Sequence, residues 1–418
     1  MSFGLNELKN FAKSHNMPNQ PHDYIFFADN RSSTPNSRMQ IADQIASGKM
    51  GEGNRVFWVN IYTRLPKLSE FTRVCRILTQ RGAKPTANLQ GSGSTIISAT
   101  PIQIPWFGLP ARKFNGYFAG RFYQKLVKQY NILRPVLVTG MPCAVDAFRT
   151  IRQLAPQAPQ IYYCPDNFVA YPGGFNTRHW ETMEQELFAT VDGATFTSLD
   201  LLQSKKRLES LPNLYLPHGV DYEHFSCENS TKTPIETLEK IKKPIIGLVG
   251  NLDMRIDISA LVYLAKRFPQ CSFVFIGQAV VPATPLEELD NVHLLGRIQY
   301  SELPLYMRYF DVGLIPYLLG DITKAINPLK MMEYYAAGMP VISSRLQNIV
   351  DMPGPLYIAD THEEYGDHLK KILHSDMSEL RRLTQEIARQ NSWAVRAESF
   401  VQFVEQIVSG QAHGVSAR

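Results

Sequence analysis

The chain has 418 residues and a mass of 47.4 kDa, more than one hydrophobic core usually organises, which points to two domains of about 150–200 residues. Hydrophobic residues make up 44% and charged residues 19%, a globular mix that excludes wholesale disorder, collagen and coiled coil. The net charge of +5 is uneven: residues 1–217 carry 24 Lys/Arg against 14 Asp/Glu, so the first half is expected to face something anionic and the second to be acidic.

Taken in chain order, the expected strands of the first half are DYIFFAD (23–29), RVFWVNIY (55–62), PVLVTG (135–140), QIYYCPD (160–166) and GATFTS (193–198). Segments with helical spacing, such as 180–191, separate them. Residues 218–243 are polar and irregular and suit an interdomain connection. The second half repeats the pattern with strands at 244–250, 271–277, 292–296, 311–317 and 340–344. Asp257 is placed to cap a helix over DISALVYLAKRF, and Ser301 to open one over YSELPLYMRYF. The fold class is α/β: two doubly wound, Rossmann-like domains facing each other across a cleft. The expected divisions are an acceptor-binding domain (1–217), the connection (218–243), a donor domain (244–390) and a C-terminal helix (391–418) crossing back to the first domain.

Neither Gly-x-Gly-x-x-Gly after a strand nor the P-loop pattern occurs, and no Asp-x-Asp pair supports a bound metal. Hydride transfer and ATP hydrolysis lose ground, and no metal or other cofactor is expected. The five cysteines are scattered and read as reduced thiols. No run reaches the roughly 20 apolar residues of a membrane span, and the N-terminus lacks the apolar region of a signal peptide. A cytoplasmic protein is expected.

The most informative segment is INPLKMMEYYAAGMPVISS (326–344). Asn327 suits an N-cap, Pro328 the first helical position and Gly338 the C′ position, which places a helix at about 328–337. Lys330 falls in its first turn, where a cation is unfavourable by a few tenths to about 1 kcal/mol. An anion at that helix start would account for it, held by backbone N–H groups and the ammonium. Glu333, three residues on, could accept from sugar or ribose hydroxyls. The plainer alternative is a solvated i,i+3 pair.

This run resembles the donor-site helix of GT-B glycosyltransferases, family 4 above all. Also similar are VGNLDMRIDISALVYLA, FIGQ, NVHLLGRIQYSELPLYMRYFDVGLIPY, NSWAVRAESF and HGVDYEHF. IYYCPDNFVAYPGG and ADNRSSTPNSRMQIADQIA resemble teichuronic-acid-type bacterial polysaccharide glycosyltransferases and the xanthan glucuronosyltransferase. Two departures stand out. The first carboxylate of the family's Glu-x7-Glu is Ala325, and the arginine after the first strand's glycine is Asn251, with Arg255 near enough to substitute. Both put retention of configuration in doubt and move weight onto Lys330 for the diphosphate.

The resemblance implies transfer of a sugar from a nucleotide sugar, a UDP-sugar by preference, to a saccharide or lipid-linked acceptor in polysaccharide or glycolipid assembly. Gly250 and Gly277 would let backbone approach the nucleotide, Gly296 and Arg297 would frame the base, and His218 could touch the diphosphate. Asp166 is the candidate general base of an inverting reaction; its alternative is a cap on the turn PDNF. Arg38 resembles a polar loop residue reaching the cleft, with a surface arginine as the alternative. Residues 104–128 interleave Trp106 and other aromatics with Arg112, Lys113 and Arg121. They read as an interfacial helix on an anionic membrane, or as a core-packed helix with a basic outer face; nucleic acid is not expected as a partner. The competing readings are a sugar-nucleotide epimerase and an inactive nucleotide-sugar-binding subunit.

Overall fold

The computed structural model describes residues 21–31, 35–61, 86–90, 94–104, 108–165, 177–205, 211–226, 235–320, 323, 328–350 and 352–410. The first sheet has eight strands: β1 (Asp23–Ala28), β2 (Arg55–Asn60), β3 (Thr86–Gln90), β4 (Ser94–Ala99), β5 (Pro135–Thr139), β6 (Gln160–Cys164), β7 (Gly193–Phe196) and β8 (Asn213–Tyr215). Their order is β3-β4-β2-β1-β5-β6-β7-β8, parallel except for the β3–β4 edge. The second has six parallel strands: β9 (Ile245–Val249), β10 (Ser272–Ile276), β11 (Val292–Gly296), β12 (Val312–Ile315), β13 (Val341–Ser344) and β14 (Leu356–Ala359). They run β11-β10-β9-β12-β13-β14. Helices of eight or more residues are α1 (Ser37–Ala46), α2 (Leu109–Tyr130), α3 (Val145–Leu154), α4 (Thr177–Phe188), α5 (Ile258–Arg267), α6 (Leu329–Ala336), α7 (His362–Leu373), α8 (Met377–Gln390) and α9 (Trp393–Val408).

Helices cover both faces of each sheet, so central strands are apolar on both sides instead of alternating. Every residue of β1 is buried. Tyr24 and Phe26 join the cluster containing Met39 of α1 and Phe400 of α9, whereas Ile25 and Phe27 join that of Tyr123 of α2 and Phe148 of α3. The two-residue period of the strand thus feeds two separate core layers. Helix α8 packs with the second sheet through Ala388, and α9 with the first through Phe400, Phe403 and Val404. The two helices are joined at Asn391–Ser392, where Ser392 bridges Val220.

Strand order reverses once in each sheet, between β1 and β5 and between β9 and β12. At these switch points the flanking crossovers leave in opposite directions and open a crevice beyond the strands' C-terminal ends. The two ends meet across the molecule. The Tyr300 hydroxyl, beyond β11, hydrogen-bonds the Gln40 side chain of α1, and Leu329 of α6 packs against the cluster of β1 and α1.

The structure corrects several expectations. Strands β3, β4, β8 and β14 were not legible; β8 and β14 are short edge strands whose residues are mostly half-buried, unlike the fully buried four-residue strands β7, β12 and β13. The short helix at Leu303–Met307 begins after Glu302, because a turn closed by Glu302 N–H on the Gln299 carbonyl (2.9 Å) encloses Ser301. Residues 218–243 are not uniformly polar loop: Asp221 caps a helical turn at Tyr222–Phe225 whose Tyr222 and Phe225 are buried. Asp257 caps α5 as expected, accepting from Ala260 N–H. Among the described residues Cys143, Cys164 and Cys271 form no disulfide. No helix among them is long and apolar enough to cross a membrane.

Helix α2 is packed through Ala111, Gly116, Ala119, Gly120, Tyr123 and Leu126. Arg112 does not belong to its outer face. It is 9% exposed, with Nε on Asp146 Oδ2 at 2.7 Å and Nη2 also on Glu186. Burial alone would raise the Glu186 carboxyl, but hydrogen bonding and charge from Arg112, then Arg149, hold it below the ordinary carboxylate range. A depressed carboxylate contributes stability above its unfolded-state pKa and loses it as pH falls through the folded value. Arg112→Ala is therefore expected to lower stability by about 2 kcal/mol near pH 7, read by denaturant unfolding. The loss should shrink as the pH falls through and below the ordinary carboxylate range.

Candidate functional site

The second sheet's rim is built by three consecutive strand ends. Gly250 N–H donates to the Ile276 carbonyl and Gly277 N–H to the Gly296 carbonyl, both at 2.8 Å, stitching the ends of β9, β10 and β11 together. A Cβ on Gly277 would lie 2.0 Å from the Gly250 carbonyl oxygen, so only glycine lets these backbones approach. Gly250 and Gly296 instead face open space, and Gly296 and Arg297 are exposed. Asn251 Oδ1 accepts from Gln278 N–H at 3.1 Å and so shapes the loop from its side chain. Arg255 is committed to Asp253, with contacts of 2.9 and 2.6 Å, and lies over the Tyr317 ring.

Helix α6 closes the switch point between β9 and β12. Its Tyr334 hydroxyl accepts from Val249 N–H at 2.7 Å, taking the place of a strand partner at the last residue of β9. Gly313 makes room for that ring, since a Cβ there would sit 2.6 Å from Tyr334 Cδ2. Burial raises the Tyr334 phenol well above its ordinary range, so it stays protonated. The C-terminus of α6 is a Schellman cap: Met339 N–H bonds the Tyr334 carbonyl, Gly338 N–H bonds that of Tyr335, and Gly338 has φ +85°. Pro328 occupies the N-cap position, which leaves that start without a side-chain cap; Asn327 and Ala325 lie outside the described residues.

Lys330 Nζ bonds Glu333 Oε2 at 2.5 Å. The pair exists, but it is not a solvated one: the Glu333 side chain is 11% exposed and that of Lys330 29%. The glutamate offsets the misplaced cation at the positive helix end, and the more exposed ammonium keeps two further donors. Glu333 also acts on Tyr300, whose phenol is pushed up by burial first and then by the charges of Glu333 and Asp221. Glu333, Tyr300 and Gln40 therefore sit together where the two sheets face each other.

On the opposite wall, Arg38 is not a surface residue. It is 8% exposed, with Nη2 on Asp29 Oδ1 at 2.9 Å, and a Cβ on Gly140 would meet its Cδ at 2.4 Å. Asp29 and Gly140 follow β1 and β5, so this pair lines the first sheet's switch point. His218 is half-buried, and burial followed by the charge of Arg396 lowers its pKa to about 4, which keeps it neutral near pH 7. Asp166 and Trp106 lie outside the described residues. Lys113 and Arg121 are exposed on α2, with Arg121 bonded to the Tyr117 hydroxyl, and no contact joins them to Lys330 among the described residues. Asp29, Tyr300 and Tyr334 were missed from sequence. Asp29 alone carried a signal, as the polar residue closing the run DYIFFAD.

The pattern described as Glycosyl transferases group 1 matches residues 243–375, which span the rim glycines and α6. The protein TuaH of Bacillus subtilis (strain 168), whose name assigns it to teichuronic acid biosynthesis as a glycosyltransferase, is 26% identical over 306 residues, covering 66% of this chain and 76% of TuaH. The α,α-trehalose 6-phosphate synthase of Burkholderia multivorans superposes with a TM-score of 0.61 at 14% identity, over 93% of this chain and 99% of that one. Anabaena Alr3699/HepE, solved in complex with UDP, superposes with a TM-score of 0.60 at 13% identity, over 92% and 100%. Residues 243–375 carry the group 1 glycosyltransferase pattern, and the chain is a glycosyltransferase with the GT-B fold.

Proposed function

We propose that the protein transfers a sugar from a UDP-sugar to a saccharide or lipid-linked acceptor in polysaccharide or glycolipid assembly. The observation that carries this reading is the uncapped start of α6, with Lys330 and buried Glu333, set against the open rim of Gly250 and Gly296. The free N–H groups and the ammonium suit a diphosphate, and positive charge supplied this way needs no metal. Glu333 then orients ribose or the donor sugar. The UDP found in the HepE structure and the pathway in TuaH's name favour a uridine nucleotide and a polysaccharide product.

The acceptor enters against the first sheet, where Arg38 and Asp29 line the crevice. Asp166 follows β6 and is the proposed general base, which gives inversion of configuration. The exposed stripe of Leu109, Lys113, Tyr117 and Arg121 on α2 faces an anionic membrane on the cytoplasmic side. Arg112 has no part in it.

Two measurements test these assignments. Turnover of a panel of UDP-sugars, with and without acceptor, should show acceptor-dependent release of UDP. Lys330→Ala should lower kcat/KM at least tenfold, a loss of about 1.4 kcal/mol or more in transition-state stabilisation. Sugar interconversion without acceptor would make the protein an epimerase instead. Separately, Lys113→Glu with Arg121→Glu should abolish sedimentation with vesicles containing anionic lipid. Unchanged sedimentation would remove the membrane assignment.

A further inference from the structure

Arg396 is a buried cation that lacks a carboxylate partner among the described residues. It stands in the first turn of α9 and is 5% exposed. Its guanidinium turns back past the helix start to Asn391 Oδ1, and its Nε is buried with no partner. The groups acting on its charge are the hydroxyls of Tyr215 and Tyr163, and burial brings its pKa down to about 10, still cationic near pH 7. Next to it stands His218, whose Nδ1 is also buried and unpartnered, with its ring edge-on to Trp393 at 6.1 Å. A Cβ on Gly219 would meet Trp393 N at 3.0 Å and Arg396 Cγ at 3.1 Å, so the chain passes tightly over the aliphatic stem of Arg396.

An uncompensated buried charge is expensive, and unsatisfied buried polar groups in a native fold call for an explanation. The location supplies one. Leu216 N–H bonds the Phe196 carbonyl and Ser392 bridges Val220, so the start of α9 lies at the C-terminal, cleft end of the first sheet. Helix α1 follows β1, lies beside α9 in the same cluster, and therefore starts at the same end. Arg38 in that start is offset by Asp29, which leaves Arg396 as the cation still in need of an anion. His218 and Tyr215, both half-buried, are near enough to Arg396 to feel its charge.

We propose that Arg396 and His218 bind a phosphate group that enters from the cleft: the guanidinium supplies the charge and the neutral imidazole one hydrogen bond. The proposal rests on the glycosyl-transfer reading only for the phosphate's source, which is either the donor diphosphate or a phosphate carried by the acceptor.

Thermal unfolding and calorimetry of the full chain with inorganic phosphate, pyrophosphate and UDP test it, using wild type, Arg396→Met, His218→Leu and Lys330→Ala. Arg396→Met should melt at or above the wild-type temperature without ligand, since an uncompensated charge is removed, and should bind phosphate at least tenfold more weakly. His218→Leu leaves the guanidinium in place and should weaken phosphate at least threefold; it decides the matter if Arg396→Met does not fold. A tenfold loss of UDP affinity in Arg396→Met assigns the site to the donor. Unchanged UDP affinity, with phosphate binding lost in the presence of saturating UDP, assigns it to the acceptor. Phosphate binding through Arg396 in a protein that does not bind UDP would keep this site and remove the donor reading. Wild-type phosphate affinity in Arg396→Met and His218→Leu, or no phosphate or pyrophosphate binding by wild type, would overturn the proposal.

Discussion

A parallel sheet that reverses its winding cannot cover the C-terminal ends of the two strands where it does so. In this protein that constraint operates twice, at β1/β5 and at β9/β12, and the chemistry-bearing residues collect at the two openings. At the second opening Tyr334 restores the hydrogen bond that the divergence of β9 and β12 removes, which in turn requires glycine at 313. The ring therefore anchors α6 with its uncapped start directed at the crevice. At the first opening Arg38 and Asp29 occupy the gap instead, and Gly140 admits the arginine.

Charge is distributed to match. Among the basic side chains of the first half, three placements differ in kind. Arg112 ties α2 to Asp146 and Glu186 inside the fold. Lys113 and Arg121 remain on the outer face of the same helix. Arg38 is turned inward to the cleft. One helix thus carries a structural cation and solvent-facing cations one residue apart at positions 112 and 113, because a helix turns about 100° per residue. The second half places the Lys330 ammonium where the backbone is already positive, and balances it with a carboxylate one turn deeper.

Much of the donor half was legible because its signals are local. Gly338, Asp257 and the strand-end glycines each act within a few residues, and the helix they delimit at about 328–337 is found at Leu329–Ala336. The burial of Glu333 was not legible, since it depends on Tyr300 and α1 from other parts of the chain. Arg38 read either as a cleft residue or as a surface one for the same reason: the pairing of β1 with β5 is what brings Gly140 against it. Arg112 sat in a basic, aromatic segment that read as one surface, and its partners lie 34 and 74 residues away. Periodicity reports the face of a helix, but which face is inward is settled by the elements that pack on it.

The central claim is that the start of α6 holds the diphosphate of a uridine nucleotide through Lys330. Calorimetric titration of UDP, with GDP and ADP as controls, into wild type and Lys330→Ala tests it most directly. The account predicts UDP-selective binding that weakens at least tenfold in the variant, about 1.4 kcal/mol. Equal affinity in the two proteins would contradict it, and so would absence of nucleotide binding by the wild type, which would leave a glycosyltransferase fold without a working donor site.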